Sequence, residues 1–218
     1  MKILILIPSF NDSNHLPELI QGIRQNTDNA ILIVDDGSKN PIHLNAENVE
    51  IIRNKTNVGK GGALKNGFAY ASVNGYSHVI TMDSDLQHDP DKLIDFIEFD
   101  EKYDLVCGQR IIDKQMPLHR QLSNQLTSWI ISIVCGQAIN DSQCGYRRYS
   151  VQSVINSKCS ENGFQFESQV LIKLSRMGVN FGHVIIPTIY GDETSSIRNV
   201  QDTFKFIKLI LGSLWLKR

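Results

Sequence analysis

The chain has 218 residues, enough to bury a substantial core in one large or two small domains. Its composition, 41% hydrophobic and 21% charged, is ordinary for a globular protein and argues against disorder, and a net charge of -1 excludes the strong basic field that nucleic acid attracts. Cys107, Cys135, Cys144 and Cys159 stand far apart, which supports neither a zinc site nor a small disulfide scaffold and favours free thiols in a reducing compartment.

The opening run, residues 2–7, is too short for a secretory signal and lacks a small-residue cleavage site. It predicts a central parallel strand buried on both faces. Pro8 to Asp12 turns the chain at the strand's exit, and Leu16, Leu19, Ile20 and Ile23 predict a helix over 14–25 with Pro17 in its first turn. A second strand, 30–34, ends at Asp35-Asp36-Gly37-Ser38. Strand, helix and strand in that order make a right-handed crossover that puts parallel strand exits on one side.

A short strand at 49–52 leads into a glycine-rich turn containing Gly59-Lys60-Gly61-Gly62. The helix that follows has Ala63, Leu64, Phe68 and Ala71 on one face and Gly75 as its stop, and it would point its amino end at an anion. A plain turn is the alternative.

Val79 to Met82 predicts a buried strand with Asp83 and Asp85 at its mouth and Gln87 and His88 just behind. Ligands of an open α/β sheet collect at such exits, and Mg²⁺ takes one or two carboxylates together with phosphate oxygens. Two unpaired carboxylates ending one strand would also repel each other without a counter-ion. The competing reading, a turn that caps the next helix, suits Asp89-Pro90 better. A helix from Pro90 to about Lys102 and a strand at 105–107 ending at Gly108-Gln109-Arg110 complete a first half, residues 1–110, that reads as an α/β nucleotide-binding layer.

The second half differs. Between Asp113 and Asp141 there is no acid, and Leu118, Leu122, Leu126, Trp129, Ile130, Ile133 and Val134 keep a helical period with His119, Arg120, Asn124 and Gln125 off the stripe. Such a helix either packs on the sheet or lies at a lipid interface. The polar stretch 140–149 reads as a loop outside the core, and Glu167, at the edge of a helical stripe over 164–177, reads as solvated. A strand over 184–190 belongs at an edge or bulge because of Pro187. It precedes a loop rich in hydroxyls that carries Arg198. The tail, 204–218, is apolar on most sides with four basic residues and no acid, which predicts an interfacial helix. No segment reaches the roughly 18 to 20 apolar residues that cross a bilayer.

The segments VDDGS (34–38), NVGKGGALKNGF (57–68), MDSDLQHDP (82–90) and DSQCGYRRY (141–149) resemble the inverting family 2 glycosyltransferases with a GT-A fold. The likeness is greatest to the branch of dolichyl-phosphate mannose and glucose synthases and bacterial polyprenyl-phosphate sugar transferases, and it runs from Pro8 to about Thr203. It implies a Rossmann-like α/β fold with a mixed, mostly parallel sheet flanked by helices: a catalytic domain over 1–203, with an acceptor half at 111–203, and an amphipathic tail at 204–218. It implies transfer of a sugar from a UDP- or GDP-linked donor to a polyprenyl monophosphate, with inversion. Pro8, Asn11, Asp35 and Asp36 would hold base and ribose, with Ser84 and Lys60 also on the donor side. Asp83, Asp85 and Gln87 would hold Mg²⁺ or Mn²⁺ against the diphosphate. Arg110, Arg120 and Arg198 would surround phosphate. Cys144 departs from the Ser or Thr frequent at that place.

A phosphate acceptor is already an anion, so the site must supply cations rather than a strong base. A hydroxyl acceptor would instead need a base, for which Asp141 is the candidate, and a non-catalytic nucleotide-sugar-binding module is a third reading. The expected setting is cytoplasmic, peripheral on the inner face of a membrane reached through 118–137 and 204–218, with a separate membrane-protein partner left open and no nucleic-acid partner.

Overall fold

Strand β1 (Ile3–Ser9) is buried along its length and pairs in parallel with β2 (Ala30–Asp35) on one side and β4 (His78–Thr81) on the other. Its side chains alternate between two cores: Ile3, Ile5 and Ile7 enter one, Leu4 and Leu6 the other. Both faces are covered, which is why the sequence reads as a continuous apolar run. In this computed structural model residues 1–111, 118–189 and 199–215 are described, with side chains except at 118–120, 199–200 and 215.

With β3 (Val49–Arg53), β5 (Leu105–Arg110), β6 (Arg147–Ser150) and β7 (Phe181–Ile186), the sheet has seven strands in the order β3-β2-β1-β4-β6-β5-β7. Strand β6 runs antiparallel between β4 and β5, and β7 lies parallel to β5. The exits of β1 to β5 therefore share one edge, and β6 enters the sheet from that edge. Strand β7 is the outer strand that Pro187 suggested, but it ends at Ile186, before the proline. Strands from beyond residue 110 thus complete the sheet begun by the first half.

Helices α1 (Leu16–Asn26) and α3 (Leu93–Ile97) cover one face through Leu16, Leu19, Ile23, Leu93 and Phe96. The other face lies under α2 (Lys60–Val73), α4 (Leu118–Cys135), α5 (Val151–Ser157) and α6 (Gln165–Arg176), with α7 (Asn199–Trp215) packed on that core through Phe206, Leu209 and Ile210.

Three sequence expectations need correction. The helix expected over 90–102 is a 3-10 turn, Pro90–Lys92, and the five-residue α3. Its chain is bent away because the Arg148 guanidinium gathers the carbonyls of Phe96, Phe99, Asp100 and Tyr103 at 2.7–3.2 Å, bonds that a continuing helix would keep for itself. The stretch 140–149, expected outside the core, is largely interior: Asp141, Ser142, Cys144, Tyr146, Arg147, Arg148 and Tyr149 are buried, and its last part is β6. The Asp141 carboxylate and the Arg147 and Arg148 guanidiniums enter because they bond backbone groups, as set out below, while Tyr149 Oη is buried without a hydrogen-bond partner among the described residues.

The third concerns α4. Asn124, Ser128, Ile131 and Val134 face inward, whereas Leu122, Leu126, Trp129 and Ile133 are each more than half exposed. Ser128 explains the orientation: its hydroxyl donates to Asn124 Oδ1 at 3.2 Å and accepts from the Ser142 amide at 2.9 Å. Apart from Val134 and the partly buried Ile130, the apolar stripe is therefore not the packed face, so of the two placements left open for this helix it is packing through the stripe that is corrected.

Candidate active site at the strand exits

The exits of β4 and β5 grip the segment 144–146 between them. Thr81 Oγ1 donates to the Gly145 carbonyl at 2.6 Å, and the Gly108 amide donates to the Tyr146 carbonyl at 2.8 Å. This wedge places Gly145 against the carboxylate that follows β4. A Cβ at 145 would stand 2.9 Å from Lys60 Nζ and 3.0 Å from both Asp83 Oδ2 and Glu167 Oε1, so glycine is what lets these three charged groups meet.

Lys60 Nζ lies 2.7 Å from Asp83 Oδ1 and 3.3 Å from Glu167 Oε1. Burial works against the lysine's charge, but the two carboxylates outweigh it and push its pKa up. Burial likewise works against ionised Asp83, yet Lys60 foremost, with further help from Arg110, holds its carboxyl well below the usual range. His88, buried at 5% exposure, accepts the Asp83 amide proton at Nδ1 over 3.0 Å, which leaves Nε2 protonated and 3.8 Å from Asp83 Oδ2. The ring stacks on Tyr146, which stacks on Phe96. Burial pushes the imidazole pKa down to about 4, so it is neutral near pH 7.

Asp85 is half-buried, and its Oδ1 accepts from the Gln87 amide at 3.1 Å across Leu86, which takes the left-handed φ of 60°. A leucine there is strained, and the turn folds the Asp85 carboxylate onto the Gln87 amide. Ser84 Oγ donates to Asp12 Oδ2 at 2.7 Å, tying this turn to the exit of β1.

On the donor side expected from the sequence, Pro8 sits where β1 has run past its pairing with β4, so its missing N–H breaks no ladder. Asn11, at φ 54°, accepts from the Lys39 amide at 2.8 Å and donates its own amide to Ser38 Oγ at 2.9 Å. Asp35 is 1% exposed and accepts from the Ser38 amide at 2.9 Å and from Arg53 at 2.6 Å. Asp36 accepts from Asn54 Nδ2 at 2.7 Å and from the Val58 and Gly59 amides at 3.0 and 2.8 Å. Both carboxylates therefore shape the loops around them. The glycine-rich turn also departs from expectation: the Gly62 amide donates to the Asn162 carbonyl at 2.9 Å, so that part of the α2 amino end is closed by the chain itself.

On the acceptor side, Arg110 grips Asp141 with two side-chain bonds, Nε to Oδ2 at 2.7 Å and Nη2 to Oδ1 at 3.0 Å. Asp141, 2% exposed, also accepts from the Gln143 and Cys144 amides at 3.2 and 3.1 Å. Burial opposes its charge, but Arg110 outweighs burial and holds the carboxyl below its ordinary value. Arg120 lies on α4 with its side chain outside the described residues, and Arg198 falls outside them altogether.

The structure thus gathers Lys60, Asp83, Arg110 and Asp141 around the 144–146 wedge. Sequence reading missed four members of the surroundings. Glu167, expected to be solvated, is buried at 6% and faces Lys60. Arg53 and Asp12 are the partners of Asp35 and Ser84. Arg147, fully buried, donates to the carbonyls of Ser142, Cys144 and Glu167 at 2.7–3.1 Å, so it joins the wedge to α6. Nothing in local pattern announces Glu167, because its burial comes from a glycine twenty-two residues earlier in the chain.

Among the described residues no group of three His, Cys, Asp or Glu side chains could hold a metal alone. The donor set that is present, an ionised Asp83 with Asp85 two residues on, fits a cation that keeps its waters and takes its remaining ligands from a phosphorylated reactant, as Mg²⁺ does.

The glycosyl transferase family 2 model matches residues 4–162. The UDP-N-acetylglucosamine–dolichyl-phosphate N-acetylglucosaminyltransferase of Methanococcus voltae is 29% identical over 96% of this chain and 95% of its own length. The undecaprenyl-phosphate mannosyltransferase of Micrococcus luteus is 26% identical over 82% of this chain and 79% of its own. Among solved structures, Mycobacterium tuberculosis glucosyl-3-phosphoglycerate synthase in complex with Mn²⁺, UDP-glucose and phosphoglyceric acid superposes with a TM-score of 0.74 at 15% identity, over 97% of this chain and 79% of that one. That likeness bears on the fold alone, which is GT-A. With the family model spanning most of the sheet and both carboxylate turns, this chain is a glycosyltransferase and belongs to glycosyl transferase family 2.

Proposed function

We propose that the enzyme moves a sugar from a nucleotide-sugar to a polyprenyl monophosphate at a membrane surface. The observation that carries this reading is the state of Asp141. A hydroxyl acceptor needs a base, and Asp141 is a poor one: its carboxylate is spent on Arg110 and two backbone amides, and its pKa is lowered. Read as an anchor, it makes sense. It fixes a guanidinium at the exit of β5, near enough to Asp83 for their charges to interact. An anionic acceptor needs such a group to hold it in line with the anomeric carbon. Lipid-phosphate acceptors named for the relatives point the same way.

Asp83 and Asp85, with Gln87 beside them, would hold Mg²⁺ or Mn²⁺, which would offset the charge of the departing diphosphate. Pro8, Asn11, Asp36 and Ser84 would line the donor site, with Asp35 acting through the Ser38 and Arg53 contacts that it holds. Arg120 and Arg198 would add to Arg110 around the acceptor phosphate. Attack by an acceptor phosphate oxygen in a single displacement would invert the anomeric carbon.

The membrane part of the reading rests on exposure. The outward stripe of α4 is joined by Phe204, Ile207, Leu211 and Leu214 of the neighbouring α7, each between 47% and 71% exposed, with Lys205 and Lys208 among them. Exposed apolar side chains on two neighbouring helices, with lysines on one of them, suit an anionic lipid surface. No described helix is long and apolar enough to cross a membrane. Incubation with UDP- and GDP-sugars and a short polyprenyl phosphate tests the proposal: one pairing should yield a lipid-linked sugar, and transfer only to hydroxyl acceptors would reject it.

A further inference from the structure

The ammonium of Lys60 sits on the very carboxylate that the proposed function gives to a divalent cation. Its Nζ is 2.7 Å from Asp83 Oδ1, and the other oxygen of that carboxylate faces His88. A metal approaching Asp83 must compete with a fixed positive charge that is already paired. At 3.3 Å on the lysine's other side is a second carboxylate oxygen, Glu167 Oε1. That atom is buried and receives no aligned hydrogen bond, although it is close enough for charge attraction. Buried acceptors are normally satisfied, so this one is held for a donor that is close but not yet aligned.

Three features keep the arrangement in place. Gly145 leaves no side chain between the groups. Arg147 donates to the Glu167 carbonyl at 3.1 Å and so fixes the first turn of α6. Gly61 packs directly on that turn: a Cβ there would stand 2.5 Å from Phe166 Cβ, so the helix carrying Lys60 and the helix carrying Glu167 are locked together. The ammonium therefore already touches two carboxylates, the nearer of Asp83 and the farther of Glu167, and only Asp83 is a candidate metal ligand.

We infer that Lys60 is a resident counter-ion that guards Asp83 when the donor is absent and moves to Glu167 when metal and nucleotide arrive together. This rests on the metal role of Asp83 proposed above. The physical reason is charge balance. Without the donor's diphosphate, a divalent cation at Asp83 would have to displace the Lys60 ammonium that already neutralises that carboxylate, with no reactant anion to add to the site. With the diphosphate, both cations are needed, and Glu167 gives the displaced ammonium a partner. Metal binding thereby becomes conditional on nucleotide. Glu167 is a positioning residue in this scheme, acting through Lys60.

The test is Mn²⁺ binding, followed by the loss of the free-ion EPR signal, with and without UDP or GDP, for the full chain and for Lys60→Met and Glu167→Gln. Lys60→Met should bind Mn²⁺ at least about tenfold more tightly than wild type without nucleotide, since one competing cation is removed from Asp83. Glu167→Gln should leave nucleotide-free binding unchanged or weaker but lose about fivefold or more in the presence of nucleotide, because the station for the displaced lysine has lost its charge. The two variants guard against each other's misfolding, and thermal unfolding reports on both. Nucleotide-free affinity in Lys60→Met no better than wild type, or nucleotide-supported affinity in Glu167→Gln equal to wild type, overturns the exchange while leaving the metal role intact. No Mn²⁺ binding by wild type even with nucleotide removes the metal role itself, and the exchange with it.

Discussion

Arg147 and Arg148 are consecutive and fully buried, yet they serve opposite faces of the sheet. Arg147 holds the wedge and α6 on the face under α2, while Arg148 collects four carbonyls at the end of α3 on the other. Neither is paired with a carboxylate in these bonds. Both bind backbone oxygens, so they act as staples between strand β6 and the segments on either side.

Replacing Arg148 by Met should therefore cost stability rather than chemistry. Four carbonyls would lose a charged donor, that of Phe96 in a buried bond and those of Phe99, Asp100 and Tyr103 in part-buried ones, and the penalty is about 1 to 3 kcal/mol. Urea unfolding measures it. Turnover per folded molecule should stay near wild type, since Arg148 faces away from Lys60 and Asp83. A silent substitution would mean that these carbonyls are hydrated after all.

His88 gives the protein a pH dependence whose direction follows from its burial. The unfolded imidazole titrates near 6.5, whereas the folded one is pushed down to about 4. Between those values the unfolded chain binds more protons, so stability is fully present above pH 6.5 and is lost as pH falls toward 4. The full span amounts to about 3 kcal/mol. Protonation at Nδ1 would also break the bond from the Asp83 amide. Unfolding free energies at pH 7, 6 and 5 should decline in wild type and much less in His88→Gln; parallel slopes would show that another group governs the decline.

The framework was readable from the chain because it depends on local pattern. β1, β2 and β4 announce themselves as apolar runs, and the acids following them mark the exits. What stayed hidden was set by distant contacts. Asn124 looked like the wet side of α4, but Ser128, which donates to it, also accepts from the Ser142 amide, and that bond turns this polar side inward. Glu167 looked solvated because Gly145, which makes room for it, is remote in sequence. The interior of 141–149 was hidden for the same reason: arginines enter a core only when carbonyls are waiting, and those carbonyls belong to α3, α6 and the wedge.

Two glycines near the site should respond differently to alanine. At Gly59 the backbone has φ 89°, and a Cβ would stand 2.6 Å from the Asn162 carbonyl oxygen. Backbone cannot swing aside, so Gly59→Ala should destabilise by at least about 1 to 3 kcal/mol. At Gly145 the obstructing atoms are the ends of Lys60, Asp83 and Glu167 side chains, which can shift. Gly145→Ala should keep its Tm within a few degrees yet lose about tenfold or more in kcat/KM, because displacement of about 1 Å at reacting groups is that costly. Equal activity at unchanged Tm would show that the contact among the three charges is dispensable.

The outward stripe on α4 can be changed without touching the core. Leu126→Gln with Trp129→Ser replaces side chains that are 57% and 63% exposed, so stability should move by less than about 0.5 kcal/mol. Co-sedimentation with anionic vesicles should nevertheless fall several-fold, and adding Phe204→Ser on α7 should lower it further. Activity on a water-soluble short-chain acceptor should persist. Unaltered sedimentation in the triple variant would place membrane contact elsewhere.

Asp141→Asn separates the two chemistries most directly. The substitution keeps the shape of the side chain but removes the charge that Arg110 grips with two bonds, and it turns one acceptor into a donor facing other donors. If Asp141 is an anchor, the chief loss is the placement of Arg110. The KM for a polyprenyl-phosphate acceptor should rise about tenfold, donor binding should be unaffected, and kcat at saturating acceptor should fall less than KM rises. If Asp141 were a base, kcat would drop by about 10² to 10⁴ with acceptor KM little changed. Arg110→Lys supplies the control, since an ammonium retains charge but cannot make the two-pronged bond. Under the anchor reading it reproduces the KM effect with Asp141 intact. A collapse of kcat in Asp141→Asn together with near-normal kinetics in Arg110→Lys would reverse the assignment and make the acceptor a hydroxyl.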